Sequence, residues 1–557
     1  MSLFPIVDGR ARFDASANVD SDRYSAGIRF TQEGAARSTT STGTSFNQGI
    51  PMSSTGQVAL VDASSGLPAN VVWLSGLPIS GDRVCISNKP VSVVSSGIPY
   101  DSAGAVAATV APITTNATLD LVFAGVSNDL LSLTSYTLTT DFITPQYQIG
   151  AQYTVWDNGL VQKNFADVVT FTRASTGTYF NSAGTLTTAA INEARFDYNP
   201  STLAAEGLLI EESRTNSIRN NTMVGAAAGT PGTAPTNWVV ATNPDGLARE
   251  IVGTGIQNGI NYLDIRWSGT SGAGGTVTIS NFDLNNVIAA ANGQTWTTSF
   301  YVALVGGSLT NISTLTLGTR FNDNTGAQVT TGTTSVLTLT SSLSRFAVST
   351  TATDATTAFV NGALVANFVN SSAVDFTLRI GLPQLEQGAF ATSVIPTTTT
   401  ALTRSADVAS VNTLSPWLNQ TEGTLFAEFT ARLNVTQTPV TFSGAAGVGY
   451  RIRKSGTNQY YAALRDGAPK DIAITPSPAL TEGQIIKVAI GVKVNDCALS
   501  GGGQAVATQT SFSPMPTITD VNLGFTATDG FALNGWFRRF TYYPRRLANA
   551  DLQAITA

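Results

Sequence analysis

The sequence predicts an all-β, multidomain protein: antiparallel β-sandwiches of the jelly-roll type, preceded by a module of β-hairpin repeats. Three observations carry this. Only 12% of the 557 residues are charged, against about 25% in an average globular chain. Thr, Ser, Asn and Gly supply the polar surface instead, and these suit exposed strand faces and tight turns. Short stretches alternate apolar and polar residues with period two, and Asn- and Gly-rich turns divide them.

Residues 1–115 read as the repeat module. GIRFTQEGAA begins at Gly27, GIPMSSTGQVAL at Gly49, GLPISGDRVCI at Gly76 and GIPYDSAGAVAA at Gly97. Each copy reads as strand, tight turn, strand, because Pro ends one segment and Gly permits the positive φ of a hairpin turn. Units this short cannot bury a face alone, so they stack on each other or on a partner chain. Residues 116–215 read as a β-rich connector. Within it, TGTYF-NSAG-TLTTA is a hairpin turning at residues 181–184, and INEARFDYNP is a strand ended by Pro200.

Residues 216–400 read as one sandwich. In TWTTSFYVAL, Trp296, Thr298, Phe300, Val302 and Leu304 share a face. Residues 401–557 read as a second one, joined through a polar linker at 397–400, so each is expected to fold alone. In TLFAEFTARL, Leu425, Ala427, Phe429 and Ala431 point one way while Phe426, Glu428, Thr430 and Arg432 point the other. Residues 550–555 fit one or two helical turns, with Asn549 as cap.

Composition also excludes function classes. The absence of histidine removes the usual general base and the commonest metal ligand. Cys85 and Cys497 stand far apart with no zinc spacing, so neither a disulfide framework nor a metal site is expected. Net charge is −6, and no lysine lies between Lys163 and Lys454. Nucleic acid is therefore an unsuitable partner, since affinity for it rests on phosphate neutralisation. No apolar run approaches the roughly 18 residues of a membrane span, so no membrane insertion is expected. The first residues, MSLFPIVDGRARF, lack the apolar core of a secretory signal.

The stretch FTRASTGTYFNSAGTLTTAAINEARFDYNP, residues 171–200, concentrates charge and aromatic rings in a chain otherwise poor in both. Arg173, Tyr179, Glu193, Arg195 and Phe196 lie in it, and Glu211, Glu212 and Arg214 follow in GLLIEESRTNS. Charges of mixed sign around a hairpin fit a structural clasp between domains, with Arg195 or Arg214 paired to Glu211 or Glu212. A catalytic pair of carboxylates would need to stand about 5–10 Å apart across a cleft, and no such frame is legible. The chain is therefore read as a non-enzyme without cofactors. Rings that could stack on a sugar are Tyr262 and Trp267, which flank LDIR so that one can face out, and Tyr460 and Tyr461, which face opposite ways so that one is exposed; core packing is the commoner role for each of the four. The loop FNDNTGAQ at 321–328 reads as a plain turn, without the spaced acids of a calcium loop.

Three stretches resemble bacteriophage fibre and virion-surface proteins: the 171–200 motif with GLLIEESRTN, LPQLEQGAFATSVIPTTTTALTRSADVASV at 382–411, and GWFRRFTYYPRRLANADLQAI from Gly535. The second is similar to the closing strand of a carbohydrate-binding-module-like sandwich, and the third to the end of a concanavalin A-like or laminin G-like lectin domain. The resemblance implies location on the virion surface, in a tail or head fibre, and attachment to other virion proteins through the N-terminal region. It also implies a homotrimer and adhesion to host-surface glycans. A capsid decoration protein is the alternative, and a glycan depolymerase a more distant one.

Overall fold

The computed structural model of the chain describes residues 138–149, 161–332, 335–524 and 531–557, with isolated short strands before residue 114. The hairpin repeats expected over 1–115, and Cys85 with them, fall outside the described residues apart from those short strands. The described chain is all-β, folded as antiparallel sheets with two helices, Phe165–Val168 and Asn549–Thr556.

Two sandwiches are present, but their boundaries differ from a simple tandem. The inserted sandwich runs close to the expected span. One of its sheets orders Val239–Val240, Gly275–Asn281, Phe359–Phe368, Ile312–Asn322 and Gln328–Thr331; the other orders Ala248–Gln257, Ile260–Thr270, Ala373–Gln387, Thr295–Ser308 and Ser344–Thr351. Trp267, Phe282, Phe300, Leu317, Leu364 and Leu378, all 0% exposed, fill the space between them. Trp296, Thr298, Phe300 and Val302 do share the core face, yet Thr297, Ser299 and Tyr301 on the opposite face are buried too. That outer face is covered by the 389–394 segment and the hairpin, through Thr297 Oγ1 to the Gly388 carbonyl and a Tyr301–Val394–Leu382 cluster that Phe180 and Leu186 pack on.

The second sandwich is assembled from both sides of the insertion. Its larger sheet runs Val161–Lys163, Gln146–Ile149, Leu138–Asp141, Gly535–Tyr543, Glu422–Thr430, Ile485–Lys493, Cys497–Gly501 and Ala507–Gln509. Ala205–Ile210 also pairs with Gly535–Tyr543, Leu208 opposite Phe537, and carries Phe196–Tyr198 on its other edge. In the facing sheet Val169–Thr172 pairs with Val408–Val411, Phe171 opposite Ala409. The expected connector at 116–215 is thus, over its described part, a set of strands of the C-terminal sandwich. The physical reason is burial: Leu138, Val168, Val169, Leu208 and Ile210 have no core of their own and join Trp417, Phe442, Tyr450 and Tyr542. Where the chain enters and leaves the insertion, Arg214–Asn216 and Leu402–Arg404 pair as a two-stranded neck.

The alternation in Glu422–Thr430 is present, with Leu425, Ala427 and Phe429 inward. Phe426 on the other face is buried as well, under Leu552 of the terminal helix and Tyr543. Asn549 is the first residue of that helix rather than its cap; Ala548 takes the cap position, and Asn549 Oδ1 accepts Arg546 Nη2 at 2.6 Å.

Candidate functional site

The site builds from the hairpin Gly177–Phe180 and Leu186–Ala189. Asn181 closes its turn, the side-chain oxygen accepting the Ala183 and Thr185 amides at 3.0 and 3.1 Å. Strand Phe196–Tyr198 follows and places Arg195 and Asp197 beneath the hairpin. Gly177 suits this place, because a Cβ would stand 3.0–3.3 Å from the Arg173 guanidinium and the Arg195 stem and crowd both.

Under the hairpin lies a buried ion network. Arg195 meets Asp407 at 2.5 Å and Glu211 at 2.9 Å; Arg173 meets Asp407 at 3.2 Å; Arg404 lies 3.5 Å from Glu211 and 3.8 Å from Asp407. Every side chain in it is at most 5% exposed. The Arg195–Glu211 and Arg214–Glu212 pairs are among the partnerships considered from sequence. Asp407 and Arg404 were not, and Asp407 is the hub: its Oδ2 also accepts the Glu211 amide at 2.8 Å, and its own amide donates to the Glu211 carbonyl at 2.9 Å. The available signal was LTRSADVAS, two charges in a stretch otherwise of Ser, Thr, Ala, Val and Leu.

The network ties the two sandwiches together. Glu211 accepts both the Ser393 amide, at 2.7 Å, and its hydroxyl, at 2.6 Å, from the closing segment of the inserted sandwich. Arg195 also donates to Ser393 Oγ, at 2.7 Å. At the neck, Arg214 donates to the Gln387 carbonyl and stacks on Phe390 at 4.6 Å. Gly388 makes this possible: at φ 140° it passes where any side chain would overlap the Arg214 guanidinium.

Burial and charge act in opposite senses on this network. Burial opposes ionisation of Glu211, but Arg404, Arg195 and the two Ser393 donors outweigh it and hold its carboxyl well below the usual range. Burial likewise opposes the Arg195 charge, and Asp407 with Glu211 reverse that to a net rise. Arg173 is lowered, by burial first and by the neighbouring Arg195 second.

Asp197 behaves differently. Burial raises its pKa to about 6, against the bonds it accepts from the Phe180 amide at 2.6 Å and Trp536 Nε1 at 2.8 Å. The folded state therefore holds this proton where the unfolded carboxyl, near 3.8, has released it. Stability contributed here is present below pH about 4 and falls as pH rises to about 6, by about 2–3 kcal/mol at about 1.4 kcal/mol per unit. Glu211 has the opposite sign: its contribution is complete above its unfolded value near 4.5 and is lost as pH falls below it. The unfolding free energy of Asp197→Asn relative to wild type, followed by urea titration from pH about 4 to 7, should shift by that amount. A pH-independent difference would show that folding leaves the Asp197 pKa unchanged.

Beside the hairpin opens a cleft of about 510 Å³, lined by Phe165, Phe171, Tyr179, Phe196 and Tyr198 with Asn181, Ser182, Asn192 and Glu193. Tyr179 and Phe196, expected to be buried in the clasp, are half-buried in its wall. Phe196 packs edge-on against Phe165 at 5.3 Å and near Phe142 at 6.5 Å. Because the ring keeps one open side, Phe196→Ala should cost about 2 kcal/mol rather than the 3–5 of a full core ring, measured by thermal or urea unfolding. Glu193 is exposed; one oxygen accepts the Ala190 amide at 2.7 Å. Asn181 and Asn192 use their side-chain oxygens within the protein, while their Nδ2 groups and the Tyr179 and Tyr198 hydroxyls find no acceptor among the described residues.

The four sugar-stacking candidates from sequence do not form a site. Trp267 is 0% exposed and stacks on Phe376 at 5.4 Å, because it shares the inward face with Leu263 and Ile265. Tyr460 is buried against Gly501 and Gly502. Tyr262 is half-buried with Arg379 3.7 Å over its ring and Gly255 against its hydroxyl edge. Tyr461 is half-exposed, its hydroxyl donating to Asp471 at 2.5 Å. Asp323 spends one oxygen on Thr325 and Ala327 of its own turn, as a plain turn requires.

No protein-family model matches the sequence, and no curated protein does. Among solved structures, the chain is similar to the CBM40 of the Ruminococcus gnavus IT-sialidase bound to α2,3-sialyllactose. The identity is 18% and the TM-score 0.22, over 25% of this chain and 84% of that one. It is similar to the CBM22-1–CBM22-2 tandem of Paenibacillus barcinonensis Xyn10C at 10% identity and TM-score 0.19, over 57% and 97%. It is similar to mouse laminin α1 domains LG4-5 at 11% identity and TM-score 0.18, over 52% and 90%. Likeness at this level does not bear on function.

Proposed function

We propose that this chain is a glycan-binding protein that adheres without cleaving, and that the 510 Å³ cleft beside the hairpin is its sugar site. The cleft itself carries the reading. Half-buried rings offer flat apolar faces to a pyranose, and free amide and phenol donors with one carboxylate at the rim match its hydroxyls. Its size falls within the roughly 300–1,000 Å³ of small-molecule sites. Binding without cleavage is supported by the carboxylates: among the described residues Glu193 alone lines this cleft, and both Asp197 oxygens are occupied by N–H donors.

The three motifs that resemble phage fibre proteins support a role on a virion surface, as an oligomeric fibre in tail or head, in which several weak sites act together. Such multivalency raises avidity by orders of magnitude without new contacts. Titration calorimetry of the full chain against neutral and acidic oligosaccharides tests the sugar site. Tyr179→Ala should weaken binding about tenfold or more with little change in melting temperature. Binding unchanged by Tyr179→Ala would remove the site, and reducing ends appearing on incubation would revive a depolymerase. Imaging of labelled particles tests location, and density spread over capsid faces would favour decoration.

A further inference from the structure

We infer that the sugar cleft continues past Tyr179 and Tyr198 into a second cleft, and that the two together hold one extended, neutral oligosaccharide laid across both sandwiches. This rests on the glycan reading of the first cleft.

The second cleft, about 340 Å³, lies between the hairpin, the C-terminal sandwich and the inserted sandwich. Tyr179 and Tyr198 line both cavities, so the two abut along that ridge. Trp536 comes from the C-terminal sandwich, and Tyr301, Leu343 and Ser344 from the inserted one. A monosaccharide needs only one of these clefts. A ligand that uses both must be a chain, and the rings that line them, Phe165 in the first, Tyr179 and Tyr198 in both and Trp536 in the second, suit successive sugar units. The Arg195–Glu211–Ser393 contacts brace the same walls, so the groove is formed before the ligand arrives and little binding energy is lost to ordering.

Charge selects the class. Among the described residues, Glu193 is the only charged one lining the first cleft. Both cations lining the second hold protein partners: Arg345 donates to the Thr392 carbonyl at 2.7 Å and Ser299 Oγ at 2.9 Å, and Arg432 donates through Nε to the Asn534 carbonyl at 2.8 Å, with its Nη1 3.7 Å from Glu482. Asp197, Glu206 and Glu211 line it too. A uronate or sialate would meet three carboxylates against two cations that already hold protein partners.

The test is titration calorimetry on the full chain with neutral gluco-oligosaccharides from mono- to hexasaccharide, and with the corresponding uronate series. Ser182 and Ser344 are exposed and line the first and second cleft respectively, so Ser182→Trp and Ser344→Trp block each without touching a core. Affinity should rise about tenfold or more from disaccharide to the longer chains. Ser344→Trp should abolish that gain and spare the disaccharide, while Ser182→Trp should weaken every length. The inference is overturned by affinity independent of chain length, by a gain that survives Ser344→Trp, or by tighter binding of the uronate series. No sugar binding in either series would sink the glycan reading itself.

Discussion

Residues 401–557 expressed alone should fail to fold, whereas residues 216–400 should form a stable sandwich. The C-terminal core contains Leu138, Phe142, Tyr147, Val168, Val169, Phe171, Leu208 and Ile210, each at most 8% exposed, and all eight precede the insertion. At about 1.5 kcal/mol or more per buried side chain, their loss removes about 12 kcal/mol. Typical domains have about 5–15 kcal/mol in all. The truncation also leaves Gly535–Tyr543 without its partners Leu138–Asp141 and Ala205–Ile210, and Val408–Val411 without Val169–Thr172. Long unpaired edges of this kind invite aggregation. The inserted sandwich closes on its own cluster around Trp267 and Phe300; it loses the two-stranded neck, the hairpin's cover over Tyr301 and Val394 and the bonds to Ser393, but none of the residues of that central cluster. Far-UV circular dichroism and size-exclusion chromatography on 401–557, 216–400 and 138–557 check this. A soluble, cooperatively melting 401–557 would show that the upstream strands are dispensable. Deleting 401–557 from the full chain would likewise expose the stranded half of that core, so the expectation that each sandwich is separable holds for the insertion alone.

The second large effect is at Asp407. Asp407→Ala should destabilise the chain by about 3–5 kcal/mol, the range for removing one partner of a buried ion pair. Glu211 then serves only Arg195 and Arg404 among the described residues, and the buried Arg173 guanidinium loses its carboxylate partner. The Arg195 Nε and Arg404 Nε atoms are already without hydrogen-bond partners, so the network has no spare acceptors to absorb the loss. Glu212→Ala is the milder comparison: its side chain is 33% exposed and it holds Arg214 and Asn534 Nδ2, so its loss should cost less than that of the fully buried Asp407. Urea unfolding separates the two. A loss below about 1 kcal/mol for Asp407→Ala would mean that water or the Arg side chains relax into the gap and that the network does not hold the sandwiches together.

The clasp shows where local reading stops. Arg195 and Glu211 were recognisable because both stand in short, charge-dense motifs near each other in sequence. Asp407 lies 196 residues beyond Glu211, across the whole inserted sandwich, and only folding brings its carboxylate to the Glu211 amide. The ring candidates failed for a related reason. Adjacent tyrosines in a strand must face opposite ways, and Tyr460 and Tyr461 do, but which face is covered depends on the neighbouring sheet. Conversely, Tyr179 and Phe196 looked like clasp filling and are instead half-buried in the wall of a cleft.

Period-two alternation, turn residues and low charge are local properties, so the sequence by itself determined that this chain is all-β, where most strands run, and that residues 171–214 differ from the rest. Only the tertiary structure decided that the strands before the insertion belong to the sandwich after it. Strand pairing is set by which apolar faces can be buried together, and Leu208 meeting Phe537 is a contact between residues more than half the chain apart. The same long-range packing brought Asp197 to Trp536 and aligned the two clefts along Tyr179 and Tyr198, positions that no local pattern specifies.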